Sequence, residues 1–369
     1  ADGGERAALQ TCGARRQSLV RGRGWARVGS ARNTMANRTL RRSTASAVSR
    51  CNAAAARPRA FRVLIFMPIG SEHSDIASDK CSKLVSIANA SLYLAHYDDS
   101  RDHYARMPWY RRVEFTAVAP REIKIALARR LLIHDEAFRD QQLPRFSHVW
   151  VTDDDVAFPH SHFLNQFLHT AMALDAAIVQ PATAGSVHGL VRPDRSRTCA
   201  IARATDFVEF QSPLMERCVF LEAVGLMHHG SSSDYGLDMV WCRWIAAQPH
   251  SRWSICTVCA VIEADGFEKR YGESHAHSYN VSSALQDDRR MRQAYAPYES
   301  LCAIVGACRD GRAGAAGDGT AAATRIAKHD RRPYRKGTCT APRRGLAVDG
   351  PCGAWRAPPR TPGAALAAW

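Results

Sequence analysis

The sequence lacks any apolar run long enough to cross a membrane, and the longest one near its start, Val63 to Met67, has the length of a buried strand. No membrane anchor is therefore expected within this chain. A second C-x-x-C is also missing beside Cys256 and Cys259, so the spacing of a four-cysteine zinc site is absent. We expect these two thiols to lie in a buried strand, with a zinc or redox site as the alternative.

The central part of the chain lacks an excess of basic residues, although the whole chain of 369 residues carries a net charge of +15. Residues 1–60 hold 13 Arg, no Lys and two acids, and residues 305–369 hold 12 basic and four acidic residues. Residues 61–304 are therefore slightly acidic. Binding to a phosphate backbone requires clustered Lys and Arg, so the folded part is not expected to bind nucleic acid.

Both ends of the sequence lack apolar periodicity. Residues 1–60 are rich in Arg, Ala and Ser, and residues 305–369 are rich in Gly, Ala, Pro and Arg. Such segments bury too little surface to offset the entropy of ordering, so we expect two disordered tails around one domain at residues 61–304. An Arg- and Ser-rich, acid-poor start is also typical of an organelle transit peptide.

Strand-like and helix-like patterns alternate between the tails, which predicts an α/β domain with a mostly parallel central sheet. Ligands of such sheets bind at the carboxyl ends of the strands. The predicted strands are Phe61–Met67, Ser91–Tyr97, His148–Thr152, Ala177–Gln180, Asp206–Phe210 and Ser254–Ile262. The predicted helices are Arg121–Asp140, Ser161–Leu174, Pro213–Val224 and Leu237–Ala246.

Three consecutive carboxylates, Asp153, Asp154 and Asp155, follow the apolar strand that begins at His148. Adjacent like charges at a strand end repel one another unless a cation compensates them. Asp153 and Asp155 are two residues apart and point to the same side of an extended segment, while Asp154 points away. The pattern favours Mn²⁺ or Mg²⁺ bound by Asp153 and Asp155, with a helix N-terminus as the alternative explanation.

Two reaction classes place a D-x-D motif after a strand. In phosphatases that form an aspartyl-phosphate, Thr or Val stands two residues after the second Asp, where this chain has Ala157. In sugar transfer from a nucleotide diphosphate, the cation bridges the two phosphates of the donor. The motif here lies near the middle of the domain, which favours sugar transfer.

Several further segments, in order and at similar spacing, resemble the plant and algal family called domain of unknown function 707. They are His96-Tyr97-Asp98, the D-x-D strand, Gln180-Pro181, Phe207-Val208-Glu209 with Pro213, and Gly236-Leu237-Asp238. That family is similar to nucleotide-sugar glycosyltransferases of the GT-A fold. The resemblance, over roughly residues 61–277, implies a single Rossmann-like domain of this kind.

The resemblance also implies roles for individual residues. Asp98 and Asp153 would contact the nucleotide donor, with a turn at Asp98 as the alternative. Asp238, at the start of a helix, would take the proton of the acceptor hydroxyl, and its alternative role is that of an acid at a helix N-terminus. Glu209 is the second candidate for the base or for acceptor binding.

The third metal ligand falls in a polar loop after the last predicted strand. His275 and His277 are two residues apart there, and imidazole is an acceptable ligand for Mn²⁺. We take His277 as the candidate and leave His275 as its alternative.

Together these observations predict a metal-dependent glycosyltransferase that moves a sugar, hexosyl or related, from a nucleotide diphosphate to an unknown glycan or small-molecule acceptor. Inversion or retention at the sugar stays open. The alternative is a non-catalytic member of the same fold that binds a glycan or a nucleotide. The family resemblance implies the secretory pathway, specifically the Golgi, as the compartment.

Overall fold

The computed structural model describes residues 44–47, 61–119, 122–186, 188, 191–193, 200–225, 235–249, 251–253, 257–264, 266–270, 281–298, 347–349 and 354–356. Ten strands form one mixed sheet in the order β11-β12-β7-β9-β6-β8-β4-β1-β2-β3, and β10 pairs with β5 apart from it. The strands are β1 (Val63–Ile69), β2 (Ala90–His96), β3 (Phe115–Val118), β4 (His148–Val151), β5 (Val156–Ala157), β6 (Ile178–Pro181), β7 (Ala200–Thr205), β8 (Leu214–Glu216), β9 (Cys259–Ile262), β10 (Glu268–Lys269), β11 (Ala347–Asp349) and β12 (Ala354–Arg356).

Seven α-helices accompany these strands within the described residues from 61 onward. They are α1 (Ser74–Leu84), α2 (Arg101–Tyr104), α3 (Lys124–Ala128), α4 (Ser161–Leu174), α5 (Arg217–Gly225), α6 (Trp241–Ala246) and α7 (Val281–Ala294). Strands β3, β2, β1 and β4 run parallel, as do β6 and β9, and β8 lies antiparallel between β4 and β6. The predicted α/β fold with a mostly parallel central sheet is confirmed.

Strand β1 shows why an unbroken apolar run forms the centre of such a sheet. All seven of its residues are buried, and alternate side chains enter two different hydrophobic clusters. Leu64 and Phe66 pack in one cluster, while Val63, Ile65 and Met67 pack in the other. A parallel strand covered on both faces requires apolar side chains at every position.

Helix α4 begins and ends where its apolar spacing predicts. Leu164, Phe167, Leu168 and Ala171 recur on one face and are buried. Asp175 ends the helix in the left-handed conformation with a φ of 49°. This helix follows β5, and its apolar side chains join the hydrophobic cluster on one face of the sheet, where Phe167 contacts Trp150 of β4.

One predicted element is wrong, and the helix predicted from Pro213 begins only at Arg217. Residues 206–210 form no strand, because the chain turns where the Phe207 N–H donates to Thr205 Oγ1 at 3.1 Å, and the strand β7 precedes them instead. The segment after Pro213 begins as β8, because Leu214 and Met215 pair with strands on both sides. Pairing with neighbouring strands overrides local helical spacing here.

The predicted helix Arg121–Asp140 is interrupted. Regular α-helix covers only α3, and two π-helical segments, Arg129–His134 and Phe138–Gln142, follow it. The apolar spacing therefore located the helical region correctly but did not specify its hydrogen-bond register.

Cys259 is not a free thiol, contrary to the prediction of buried thiols in the last strand. It forms a disulfide with Cys242 that joins β9 to α6. Cys218 is also disulfide-bonded, whereas Cys81 is a buried free thiol. Cys256 lies outside the described residues. The C-x-x-C spacing carried no information about the partner, which is distant in the sequence.

Three short pieces of the segments predicted to be disordered have regular structure. Residues 44–47 form one helical turn, in which Thr44 is buried, and a Cβ added to Gly225 would lie 2.6 Å from its methyl group. Strand β12 adds to the edge strand β7, and β11 pairs with β12. Edge pairing uses backbone groups and requires no apolar periodicity. The other residues of both predicted tails lie outside the described residues.

Across the described part of the chain, no helix combines the length and the apolar character needed to cross a bilayer.

Candidate functional site

Three parallel strands end together at one edge of the sheet. β1 lies between β2 and β4, so the chain leaves β1 toward one side and later returns on the other. In open α/β sheets, ligands bind outside the carboxyl ends of the strands at such a change in strand order. The segments that follow these strands carry Gly70, Asp98 and the three aspartates Asp153–Asp155.

Asp154, the middle carboxylate of the three, joins the ends of all three strands. Its Oδ2 accepts hydrogen bonds from the Gly70 N–H at 3.3 Å and from the Tyr97 hydroxyl at 2.9 Å. Burial raises the pKa of Asp154, and the negative charge of Asp155 raises it further. Gly70 has no room for a side chain, because a Cβ there would lie 2.3 Å from the Tyr97 ring.

Asp153 and Asp155 face two lysines on the other side of the segment, as the alternation of side chains predicts. Lys124 Nζ lies 2.7 Å from Asp153 Oδ1. Lys269 Nζ lies 3.4 Å from Asp155 Oδ2 and 3.8 Å from Asp153 Oδ2. Asp155 is fully buried, whereas 24% of the Asp153 side chain is exposed. The acidic strand end is therefore compensated by cations of the chain itself.

Lys124 is the first residue of helix α3, and its ammonium group lies beside Asp153. The ammonium group also donates to the Gln211 carbonyl at 3.0 Å, and the same carbonyl accepts the Asp153 N–H at 3.0 Å. Burial lowers the pKa of Lys124, and the adjacent Asp153 charge offsets only part of that effect. This arrangement ties α3, the β4 end and the segment before β8 to one another.

A third lysine, Lys80 of α1, is completely buried behind the aspartates. Its ammonium group donates to Thr152 Oγ1 at 2.9 Å and to the Asp153 carbonyl, and it lies 4.1 Å from the centre of the Phe158 ring. Burial lowers the pKa of Lys80 to about 7, against the attraction of Asp153. Lys80 therefore holds the backbone from which the carboxylates project.

Sequence reasoning missed all three lysines. For Lys80 a signal exists: it lies four residues after Ile76 and four before Leu84, on the buried face of α1. A lysine on an apolar helical face requires a specific partner. Lys269 stands in a two-residue strand and has no comparable signal.

The predicted Mn²⁺ or Mg²⁺ does not fit the described residues of this site. A divalent cation needs carboxylate oxygens that are not already paired with ammonium groups, and both Asp153 and Asp155 face lysines. Among the residues that the structure describes, no group of three or more His, Cys, Asp or Glu side chains is arranged to hold a metal ion. The predicted third ligand His277 and its alternative His275 lie outside those residues.

Glu209 lies in the loop between β7 and β8, not on the predicted strand. Its Oε2 accepts the Ser186 hydroxyl at 2.6 Å, and its Oε1 accepts the Gln211 amide at 2.8 Å. Burial raises the pKa of Glu209 to about 7, although the Ser186 hydrogen bond and the Lys269 charge oppose the shift. Lys269 therefore interacts with Glu209 as well as with the aspartates after β4.

Asp238 lies in a turn that precedes α6, which begins four residues later than predicted. Burial raises the pKa of Asp238 to about 8, and the charges of Glu209 and Asp288 raise it further. Gly236 shapes this turn with a φ of 86°, and a Cβ there would lie 2.8 Å from Asp288 Oδ1 of α7. Asp238 and Glu209, predicted from separate segments, are thus electrostatic neighbours.

Asp98 follows β2 and is engaged in a local network. Its Oδ2 accepts the Ser71 N–H at 2.7 Å and the Ser71 hydroxyl at 2.9 Å, while its Oδ1 accepts the Ser100 N–H at 2.9 Å. Partial burial would raise the pKa of Asp98, but these hydrogen bonds outweigh it and the pKa is lowered. The carboxylate joins the loop after β1 to the turn after β2.

No protein-family profile and no curated protein matches this chain. Solved structures align with it at low similarity. A mycobacterial protein of known crystal structure is 14% identical, with 66% of this chain and 78% of that chain covered and a TM-score of 0.36. Glucosyl-3-phosphoglycerate synthase from Mycobacterium tuberculosis with phosphoglyceric acid is 15% identical, with 66% and 84% covered and a TM-score of 0.38. The same enzyme with Mn²⁺, uridine-diphosphate-glucose and phosphoglyceric acid is 14% identical, with the same coverage and TM-score.

Proposed function

We propose that the protein is an enzyme that transfers a sugar from a nucleoside diphosphate donor to a hydroxyl of an acceptor. The observation that carries this proposal is the convergence of Asp153, Lys269, Glu209 and Asp238 beside the carboxyl ends of the parallel strands. These residues come from four separate segments of the chain. Sugar transfer needs cationic groups for the diphosphate, and transfer with inversion also needs a carboxylate for the acceptor proton; both kinds of group are present.

Asp238 is the proposed base. A general base works best when its pKa is near the working pH, and burial next to Glu209 brings the pKa of Asp238 to about 8. Both oxygens of Glu209 already accept hydrogen bonds, which makes it the weaker candidate. The Glu209 charge nevertheless raises the pKa of Asp238, so Glu209 tunes the proposed base.

The donor is proposed to lie between Asp98 and Asp153, outside the ends of β2 and β4. Asp153 has the most exposed side chain of the carboxylates that face Lys269. Asp98 holds the loop after β1 in place through Ser71 and lines the same edge. A nucleotide in this position would follow the general rule for ligands of open α/β sheets.

The direct test is a screen of the full chain against a panel of nucleoside diphosphate sugars and a glycan library, with release of free nucleoside diphosphate and product mass as readouts. Release that depends on one donor and yields a glycosylated product supports the proposal. Asp238→Asn should abolish most of the release, whereas the exposed Asp79→Asn is the matched control. Release should also rise as the pH passes about 8, because the base must lose its proton.

A second candidate function is binding of a nucleotide or glycan without turnover. The engaged oxygens of Glu209 and the ion pair of Asp153 favour it, because both leave fewer carboxylate oxygens for chemistry. Calorimetry decides between the two. Saturable binding of a nucleotide sugar without release of nucleoside diphosphate, at any pH from 6 to 9 and with any acceptor, identifies the binding protein.

The compartment is proposed to be oxidising. The Cys242–Cys259 disulfide joins two core elements, and such bonds persist mainly in secreted proteins and in the lumen of the secretory pathway. The Golgi and an organelle reached by a transit peptide both stay predictions. Microscopy of the tagged protein together with mapping of the disulfide in cell extracts tests this proposal.

A further inference from the structure

Two of the three carboxylates after β4 lie close to lysine side chains. Asp153 and Asp155 contribute two negative charges, and Lys124 and Lys269 contribute two positive ones at distances of 2.7–3.8 Å. A divalent cation bound by both carboxylates would have to displace these ammonium groups, and that of Lys124 is only 5% exposed. Leaving a buried ammonium group without its carboxylate is costly.

We infer that Lys269, in place of a divalent cation, supplies the positive charge that binds the diphosphate of the donor at this strand end. The inference deepens the proposed function and rests on it, since it names the group that meets the phosphates. It also separates this site from the metal site that the D-x-D motif predicts.

Lys269 is better suited to this task than Lys124. Lys124 is only 5% exposed and donates to both Asp153 and the Gln211 carbonyl at 3.0 Å or less. Lys269 is 14% exposed, and its distances of 3.4 and 3.8 Å to the aspartates exceed the 2.7–2.9 Å of a tight charge-assisted hydrogen bond. Its ammonium group can therefore donate to an incoming phosphate oxygen without first breaking a short ion pair.

The backbone of Lys269 is held firmly in position. It pairs with Val156 of β5, and its N–H donates to the Ala184 carbonyl at 2.8 Å. Gly185 has a φ of 79°, and a Cβ there would lie 2.6 Å from the Lys269 carbonyl oxygen. The loop after β6 and the segment after the aspartates thus enclose this residue from two sides.

The test is calorimetry of the full chain with UDP, GDP and ADP, in EDTA and in MnCl₂. We expect the best of the three to bind in EDTA with a Kd within about twofold of its value in Mn²⁺. Lys269→Met should weaken binding in EDTA by roughly tenfold or more, as expected for loss of a charge-assisted contact. Lys83→Met, which removes the same charge from a lysine of α1 paired with Asp79, should leave the Kd unchanged.

The outcomes separate the inference from the proposed function. Nucleoside diphosphate binding that requires Mn²⁺ overturns the inference and leaves nucleotide binding intact. Absence of binding under both conditions overturns the proposed function and the inference with it. Equal binding by wild type and Lys269→Met in EDTA also overturns the inference.

Thermal unfolding with Mn²⁺ alone gives a readout that is independent of nucleotide. The Tm of the wild type should not change with millimolar Mn²⁺, whereas that of Lys269→Met should rise, because the Lys269 ammonium group then no longer lies beside Asp153 and Asp155. If Lys269→Met does not fold, Lys269→Arg replaces it: this variant keeps the charge and should bind in EDTA and ignore Mn²⁺. A rise in the wild-type Tm with Mn²⁺ contradicts the inference.

Discussion

The Tyr97 hydroxyl donates a hydrogen bond of 2.9 Å to Asp154 Oδ2. Tyr97 follows β2 and Asp154 follows β4, and β1 lies between these strands. The contact therefore spans the strand between them and passes over Gly70, whose N–H donates to the same oxygen. One carboxylate of the acidic run thus serves the architecture of the sheet edge, which leaves its two neighbours to face the lysines.

Replacing Tyr97 by Phe should destabilise the fold. The substitution removes one of the two hydrogen bonds to a buried carboxylate oxygen, so we expect a loss of about 1–3 kcal/mol in the free energy of unfolding. Urea unfolding at pH 7 measures it. Tyr298→Phe near the end of the described helical region is the control, and equal stability of the two variants would show that the Asp154 contact contributes nothing.

Gly236→Ala should displace Asp238. An alanine at a φ of 86° costs about 1–2 kcal/mol, and its Cβ would also lie 2.8 Å from Asp288 Oδ1. We expect lower stability together with loss of transfer activity, measured by denaturant unfolding and by nucleotide release. The double variant Gly236→Ala, Asp288→Ala should recover only the part due to the side-chain clash. Full recovery would contradict the contribution of the backbone conformation.

Asp238→Asn should change how stability depends on pH. The pKa of Asp238 is raised from 3.8 to about 8, so the folded state binds more protons than the unfolded state between these values. The contribution of Asp238 to stability is therefore fully present below pH 4 and is lost as the pH rises through 8. The variant should be more stable than wild type at pH 8.5, by on the order of 1–5 kcal/mol, and the difference should shrink toward pH 5. A constant difference across this range would contradict the raised pKa.

Asp238→Asn should also lower transfer. The amide keeps the shape of the carboxylate but cannot accept the acceptor proton, so we expect the turnover number to fall by roughly 10²-fold or more while donor affinity survives. Steady-state kinetics and calorimetry measure the two quantities. If Asp238→Asn keeps the wild-type turnover number, Glu209 is the base instead, and Glu209→Gln is the next variant to measure. Loss of donor affinity with normal turnover would place Asp238 among the donor contacts.

Removal of the Cys242–Cys259 disulfide should destabilise the fold by about 3 kcal/mol, since it closes a loop of 17 residues. The double variant Cys242→Ala, Cys259→Ala is preferable to reductant, because Cys218 is also disulfide-bonded. Cys81→Ala, at a buried free thiol, controls for the loss of a core sulfur atom. Equal losses in the two variants would show that the crosslink itself contributes nothing.

The sequence was sufficient to locate those helices and strands whose apolar pattern is complete within their own residues. The unbroken apolar run of β1 and the spacing of Leu164, Phe167 and Ala171 in α4 located both elements closely. The local pattern at Leu214 predicted a helix, but the segment forms a strand because it pairs with β4 on one side and β6 on the other. A strand of three residues has no period of its own to read.

The sequence by itself determined that an apolar strand delivers three carboxylates, and that Asp153 and Asp155 share a side while Asp154 does not. This follows from the alternation of side chains along an extended chain, which needs no partner. Only the tertiary structure decided which charges oppose them. Lys124 and Lys269 reach Asp153 because α3 and β10 pack beside the end of β4, and no local pattern encodes that approach. The same acidic motif is therefore compatible with a metal or with lysines, and the choice depends on distant segments that the fold brings within about 4 Å.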